Sequence, residues 1–119
     1  MGVSADLNFA KIMAKVVAEK KAIDIKILDL NGKSDICDYQ VICSGESDRQ
    51  VQAIAQEVDR VARKDLGIKP SNIEGTQTGQ WILIDFGATM VHVFLQDTRN
   101  YYAIEQLWPE ADKITLKSK

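Results

Sequence analysis

The sequence has few of the residues that build metal centres and disulfide frameworks. Among its 119 residues it contains one histidine, His92, and two cysteines, Cys37 and Cys43. A metal site would need further histidine or cysteine side chains at ligand spacing, so we expect no metal site. Two cysteines in a chain with an ordinary hydrophobic content are expected to be free thiols in a reducing compartment.

An excess of positive charge and long hydrophobic runs are also absent. The chain carries 15 Lys and Arg against 17 Asp and Glu, a net charge of −2. Nucleic-acid-binding proteins usually show a basic excess or stripe. No apolar run is long enough to cross a bilayer, and the N-terminus lacks the apolar core of a signal peptide. We therefore expect a cytoplasmic or organelle-matrix protein, with no membrane association and no direct sequence-specific binding to nucleic acid.

The sequence does contain the alternating helix and strand patterns of one ordinary domain. Its 119 residues, with 45% hydrophobic and 27% charged side chains, suit a single soluble domain. Residues 1–119 therefore form one domain, in which residues from about 112 to 119 are predicted to be a frayed basic tail. Hydrophobic periodicity predicts, in chain order, a helix over 4–21, strands over 23–30 and 39–44, a helix over 47–66, an optional strand near 72–74, a hairpin over 81–95 and a short helix after 97.

The second helix has the clearest boundaries. Ser47 and Gln50 fit a capping box, in which each side chain bonds to the backbone N–H of the other residue. Gly67 suits the left-handed position that follows a helix, and Pro70 prevents the helix from resuming.

The predicted hairpin has two chemically different faces. A two-residue loop at 87–88 pairs Trp81 with Phe94 and Asp85 with Met90, and side chains alternate between faces along each strand. One face then carries ordinary core residues, namely Ile82, Ile84, Val91 and Val93. The other, here called the mixed face, carries Trp81, Leu83, Asp85, Met90, His92 and Phe94.

The number of helices decides what can cover the mixed face. A strand-helix-strand crossover gives parallel neighbours and the hairpin gives an antiparallel pair, so we predict an α/β fold with a mixed sheet of four or five strands. Two long helices and one short one cover mainly one face of such a sheet. The mixed face is therefore expected to be open, and an open face with large apolar groups indicates a partner surface.

Aromatic residues on and after the hairpin are the main candidates for partner contacts. Trp81 is one, because Trp, Tyr and Arg commonly anchor interfaces. At helical spacing Tyr101 is predicted to pack with Ile104, which leaves Tyr102 as the better contact candidate. His92 has two interpretations, a structural histidine hydrogen-bonded in the sheet or a partner contact.

The sequence offers only weak signals for catalysis. The turn at 44–47 has the position of an anion site at a helix start, but helix capping explains it and the P-loop pattern is missing. A nucleotidyltransferase would need two or three carboxylates to hold Mg²⁺, and Asp85 stands alone on its strand. A nucleophile pair of Cys43 and His92 is conceivable, although no local signature favours it. We expect no enzymatic activity and no cofactor.

Taken together, the motifs resemble those of the ribosomal silencing factors, the RsfS or Iojap-like family. The matching segments are DYQVICSG at 38–45, SDRQV at 47–51, EG at 74–75, GQWILIDFG at 79–87, VHVF at 91–94 and RNYYAIEQLW at 99–108. Their combination and order are specific, and they cover nearly the whole chain. Ile104 departs mildly from the pattern, because the family usually has leucine there.

The resemblance implies a nucleotidyltransferase-like α/β fold that has lost its catalytic carboxylates. It also implies binding to the large ribosomal subunit through ribosomal protein uL-fourteen, which sterically blocks joining of the small subunit and represses translation. No cofactor is needed, a homodimer is plausible, and a bacterial cytoplasm is the expected location. Carried over by resemblance, the partner contacts are Trp81, Asp85, His92, Arg99 and Tyr102.

Two other functions remain open at this point. One is a residual nucleotidyltransferase, which would show Mg²⁺-dependent nucleotide binding. The other is an adaptor whose open sheet face binds a protein outside the ribosome.

Overall fold

A computed structural model describes residues 5–33, 37–107 and 112–114. The elements in chain order are α1 (Ala5–Glu19), β1 (Ile23–Asp29), β2 (Tyr39–Gly45), α2 (Asp48–Arg60), a π-helical turn (Val61–Asp65), β3 (Asn72–Glu74), β4 (Trp81–Asp85), β5 (Thr89–Leu95), α3 (Gln96–Tyr102), a 3₁₀-helix (Ile104–Leu107) and β6 (Asp112–Ile114). Each helix and strand predicted between residues 5 and 102 is present, within a few residues of its predicted ends.

The strands form one mixed sheet in the order β3-β4-β5-β2-β1-β6. The central pair, β2 and β5, is parallel, and every other neighbouring pair is antiparallel. The five strands between residues 23 and 95 match the larger predicted number. A sixth short strand, β6, pairs with the edge of β1, although its residues were predicted to belong to a frayed basic tail. Residues 115–119 of that predicted tail lie outside the described residues.

The start of α2 is held by the predicted cap with one difference. The Gln50 N–H donates to Ser47 Oγ at 3.1 Å. Gln50 Oε1 accepts from the N–H of Glu46 at 2.7 Å instead of from Ser47. The Gln50 amide also donates to the Lys21 carbonyl at 3.1 Å, in the turn that follows α1. Gln50 therefore fixes the start of α2 against the end of α1.

Helices α1 and α2 cover one face of the sheet. The buried stripe of α2, formed by Val51, Ile54, Ala55 and Val58, packs in one core cluster with buried residues of α1. The strands contribute Ile82, Ile84, Val91 and Val93, each at most 1% exposed. Burying an aliphatic side chain of this size stabilises a fold by about 1.5–3 kcal/mol. The prediction that this face is ordinary core is confirmed.

The hairpin has the predicted register, with Trp81 opposite Phe94 and Asp85 opposite Met90. The Phe86 N–H donates to the Thr89 carbonyl at 2.9 Å and closes the two-residue loop. Gly87 in this loop has a φ of 94°, a conformation that side chains disfavour. The register places the mixed face on the side of the sheet opposite α1 and α2.

Candidate functional site

Trp81 is the centre of an aromatic cluster on the mixed face. Its ring stacks on Phe94 with centroids 4.8 Å apart, and Tyr102 lies 5.0 Å from it on α3. The Trp81 indole N–H donates to His92 Nδ1 at 3.1 Å. Trp81 is only partly buried and Tyr102 is 53% exposed. Trp81, His92, Phe94 and Tyr102 are here called the aromatic patch, in which Trp81 and Tyr102 present ring surface to solvent and Phe94 and His92 are buried.

His92 lies at the base of the aromatic patch and is 5% exposed. Because Nδ1 accepts from Trp81, the proton of the neutral ring is on Nε2. Nε2 is buried and has no hydrogen-bond partner among the described residues. Burial lowers the pKa of His92 to about 4, against an opposing effect of the Asp85 charge. Of the two predicted roles of His92, the geometry fits the structural one, in which a neutral histidine is hydrogen-bonded within the sheet.

Asp85 lies at the far end of β4 from Trp81, about 13 Å along the strand at the usual rise per residue. Its Oδ1 accepts from the Gly87 N–H at 2.8 Å, which stabilises the hairpin turn. Its neighbours across the sheet are Asn72 and Met90, neither of them acidic. Over residues 5–33, 37–107 and 112–114, no three His, Cys, Asp or Glu side chains are grouped so that they could hold a metal ion. The structure does not bring Asp85 into the aromatic patch.

Arg99 lies on the inner side of α3 and is 5% exposed. Its Nη1 donates to the Asp24 carbonyl at 2.6 Å and to Ser44 Oγ at 2.8 Å. Its Nε donates to Glu105 Oε1 at 2.8 Å, and this bond holds the pKa of Glu105 below its usual value. Lys26 Nζ lies 3.2 Å from the other carboxylate oxygen of Glu105. The guanidinium is thus directed inward, and a direct partner contact by Arg99 would require these bonds to break.

The prediction that Tyr101 packs in the core is wrong, since this side chain is 82% exposed. Helix α3 ends at Tyr102, and Ala103 adopts a left-handed conformation with φ of 48°. The helical spacing that would bring Tyr101 beside Ile104 therefore stops before it reaches Ile104. Ile104 itself is 8% exposed and packs into the core beneath the mixed face.

Two residues outside the predicted contacts bear on this site, one buried within the aromatic patch and one exposed in the segment that follows it. Phe94 supplies the ring on which Trp81 stacks, and the hairpin register had already placed it opposite Trp81. Leu107, on the 3₁₀-helix, is 67% exposed. The sequence did not predict this exposure, because an apolar residue at helical spacing is expected to be buried.

The two cysteines are free thiols, as predicted, and both are buried. Burial raises the pKa of Cys43 to about 12 and also raises the pKa of Cys37. Cys43 packs in the core beneath α1 and α2, whereas its neighbour Ile42, which lies opposite His92, belongs to the other face. Cys43 and His92 therefore lie on opposite sides of the sheet. The conceivable nucleophile pair is excluded.

The family model described as "Ribosomal silencing factor during starvation" matches residues 4–119. The chain belongs to this family. The ribosomal silencing factor RsfS of Bacillus subtilis strain 168 is 46% identical over 104 residues, which cover 87% of each chain.

Two solved structures share the fold of this family member. One, from Bacillus halodurans, has a TM-score of 0.77 and 41% identity and covers 92% of this chain and 96% of its own. The other, from Chromobacterium violaceum, has a TM-score of 0.84 and 31% identity and covers 98% of this chain and 95% of its own. The α/β fold with a mixed, open sheet is thus shared with both.

Family membership confirms the resemblance found in the sequence motifs. It supports a ribosome-associated function in silencing and regulating translation. In the described part of the chain, no helix has both the length and the apolar character needed to cross a membrane.

Proposed function

We propose that this protein binds the large ribosomal subunit through ribosomal protein uL-fourteen and thereby blocks joining of the small subunit. The observation that carries the proposal is the aromatic patch, an open ring surface on the sheet face that α1 and α2 leave uncovered. Family membership supports the ribosomal setting of this surface. Translation is repressed because the bound factor occupies space that the small subunit needs.

Trp81 and Tyr102 are the proposed anchors of the interface. Both rings are held in place before binding, Trp81 by the stack on Phe94 and the bond to His92, and Tyr102 by its contact with Trp81. A ring that is already ordered loses less conformational entropy when a partner covers it. Large aromatic side chains also bury much apolar area for few rotatable bonds.

The other three predicted contact residues have different places in the proposed interface. Asp85 is partly exposed at the turn of the hairpin, so it is proposed to lie at the rim. His92 and Arg99 are buried and are proposed to support the surface from beneath. A neutral His92 is suited to this place, because a charged imidazole would be strongly disfavoured there.

The proposed mechanism needs no catalysis and no cofactor. The fold is proposed to be nucleotidyltransferase-like without the chemistry of those enzymes. Supporting this, the Asp85 carboxylate is engaged by the Gly87 N–H and has Asn72 and Met90 as its cross-strand neighbours. A Mg²⁺ site for phosphoryl transfer needs several carboxylates together. A bacterial cytoplasm is the proposed location.

Co-sedimentation with separated ribosomal subunits in sucrose gradients tests the proposal. The wild-type protein is expected to travel with large subunits and to reduce their joining to small subunits. Tyr102→Ala is expected to weaken binding about tenfold, the effect of losing an interface anchor worth 1–2 kcal/mol. Ile12→Ala is the matched control, because Ile12 is an exposed large hydrophobic residue, 38% accessible, on α1 at the opposite face.

Three outcomes separate the alternatives. Normal binding by Tyr102→Ala would place the interface elsewhere. Equal losses for Tyr102→Ala and Ile12→Ala would point to a general effect on folding. Absence of wild-type binding to large subunits would favour the alternative function, an adaptor that binds a protein outside the ribosome. Sedimentation velocity of the wild-type protein shows whether it self-associates, and the same measurement on Tyr102→Ala shows whether a second copy of the chain uses this face.

A further inference from the structure

Arg99 links three separate parts of the chain from a buried position. Its guanidinium donates to the carbonyl of Asp24 in β1, to the hydroxyl of Ser44 in β2 and to the carboxylate of Glu105 in the 3₁₀-helix. These bonds are 2.6–2.8 Å long. A buried charge needs such partners, because leaving water without them is strongly unfavourable. Arg99 therefore has the geometry of a structural link.

The backbone on both sides of this link departs from regular structure. Asp24 has a φ of 51°, and the register of β1 against β2 shifts between Ile23 and Lys26. Ala103 has a φ of 48° and donates its N–H to the Arg99 carbonyl at 2.8 Å. Non-glycine residues adopt such conformations when surrounding contacts stabilise them. Arg99 makes such a contact at both places, through its side chain at Asp24 and through its backbone at Ala103.

The link determines where the segment after β5 lies. With Arg99 bonded to Glu105, the chain turns at Ala103 and Ile104 packs with Phe94 in the core beneath the mixed face. Tyr102 precedes this turn and lies 5.0 Å from the Trp81 ring. The position of Tyr102 on the patch thus depends on the fold of residues 99–105.

We infer that Arg99 is a positioning residue of the docking surface, which places Tyr102 on Trp81 and does not itself touch the partner. The inference rests on the proposed function for its consequence in binding. Its structural half, the coupling from Arg99 through Glu105 to Tyr102, holds for the protein alone. The positive charge of Arg99 is then used in bonds within the chain and makes no contact with the partner.

The NMR chemical shift of the Trp81 indole N–H tests, without ribosomes, whether Arg99 positions Tyr102 on Trp81. Trp81 is distinguished from Trp108, the only other tryptophan, by the variant Trp108→Phe. Tyr102→Ala is expected to shift the Trp81 signal, because a neighbouring ring is removed. Arg99→Gln is expected to shift it toward the same position, and Ile12→Ala to leave it unchanged. An unshifted Trp81 signal in Arg99→Gln would overturn the inference.

A double-mutant cycle in large-subunit binding tests the functional half. Arg99→Gln alone is expected to weaken binding about five- to tenfold. In the Tyr102→Ala background the same change is expected to matter less than about twofold, since coupled residues are not additive. Additive losses would overturn the inference.

The salt dependence of binding separates positioning from a direct contact between Arg99 and ribosomal RNA. A cation that pairs with a ribosomal phosphate contributes roughly one unit to the slope of log affinity against log salt. Arg99→Gln is expected to leave this slope unchanged, and a slope reduced by about one would make Arg99 a direct contact to a ribosomal phosphate. Arg99→Lys keeps the charge but not the planar fork of donors, so it is expected to weaken binding like Arg99→Gln.

The variant Glu105→Gln covers the case in which Arg99→Gln does not fold, as judged by far-UV circular dichroism. Glu105 has an 18% exposed side chain, and its replacement keeps the shape while weakening the pair. It is expected to shift the Trp81 resonance in the same direction and to lower large-subunit affinity by a smaller factor. No shift in Glu105→Gln would count against the inference. If the wild-type protein does not bind large subunits, the proposed function fails while the resonance test still decides the positioning role.

Discussion

The two faces of the central sheet are built by the same strands but carry different chemistry. Beneath α1 and α2 the hairpin contributes four aliphatic side chains, Ile82, Ile84, Val91 and Val93, all buried. On the mixed face it contributes rings and polar groups that are partly open, and Trp81 of β4 and Tyr102 of α3 lie at the surface. The difference indicates that one face supplies stability, and it fits the proposal that the other face binds a partner.

The polar groups of the mixed face are mostly engaged by the chain itself. Trp81 donates to His92, Asp85 accepts from Gly87, and Arg99 donates to Glu105. Because these polar groups bond within the chain, the mixed face exposes apolar ring surface. Buried polar groups that are satisfied in this way fix side-chain positions, which an apolar core does less specifically.

The largest expected effect tests the difference between the two faces at two adjacent residues of β4, one on each face. Ile84 is fully buried beneath the helices, and Leu83 next to it is half-buried on the mixed face. Ile84→Ala is expected to lower the free energy of unfolding by about 3–4 kcal/mol, because it removes methyl groups and leaves a cavity. Leu83→Ala is expected to lower it by only about 1–2 kcal/mol, since part of the side chain is already in water. Urea denaturation measures both.

Binding to large subunits is expected to show the opposite order of effects for Ile84 and Leu83. Below its unfolding transition, Ile84→Ala is expected to bind large subunits as the wild type does. Leu83→Ala, beside the aromatic patch, is expected to bind more weakly. A larger stability loss in Leu83→Ala than in Ile84→Ala would show that the mixed face is the main core.

The second prediction concerns the pH dependence of stability. His92 has a pKa of about 4 in the folded protein, below its ordinary value of 6.5. Between these values the unfolded chain binds a proton that the folded chain does not, so the free energy of unfolding falls as pH falls from 6.5 toward 4. The loss can reach about 3 kcal/mol. Urea denaturation at several pH values measures it.

The control for this prediction is His92→Gln, which cannot titrate but keeps an oxygen that can accept from Trp81. Because His92 is the only histidine, the variant is expected to lose the pH dependence above pH 4.5. Glu105 also has a lowered pKa, but the stability it contributes is lost only below the usual carboxylate value of 4.5. An unchanged slope in His92→Gln would mean that other groups produce the effect.

The register of the hairpin and the composition of its two faces could be predicted from the sequence. The reason is physical: side chains alternate strictly along a strand, and a two-residue loop at Gly87 fixes which residues lie opposite each other. Trp81 and His92 were therefore placed on one face correctly. Their hydrogen bond followed from the close pairing of neighbouring strands, although the pattern alone did not specify it.

The segment after β5 could not be predicted in the same way. There the chain depends on a single left-handed residue, Ala103, and on the burial of Arg99, neither of which periodicity encodes. Alanine carries no sequence signal for positive φ, unlike the glycine at position 87. The bulge near Asp24 and the short strand β6 were missed for the same reason, because each depends on contacts between distant segments.

Tyr101→Ala has the smallest expected effect and marks where the mixed face ends. Tyr101 is 82% exposed, and its ring meets only the edge of Tyr102 among the ring contacts of the described residues, at 5.1 Å. Its removal is expected to change the free energy of unfolding by less than about 0.5 kcal/mol, as for most surface substitutions. Were Tyr101 packed against Ile104, as helical spacing suggested, the loss would be about 3 kcal/mol or more. Thermal or urea denaturation of this one variant therefore decides between the spacing rule and the turn at Ala103.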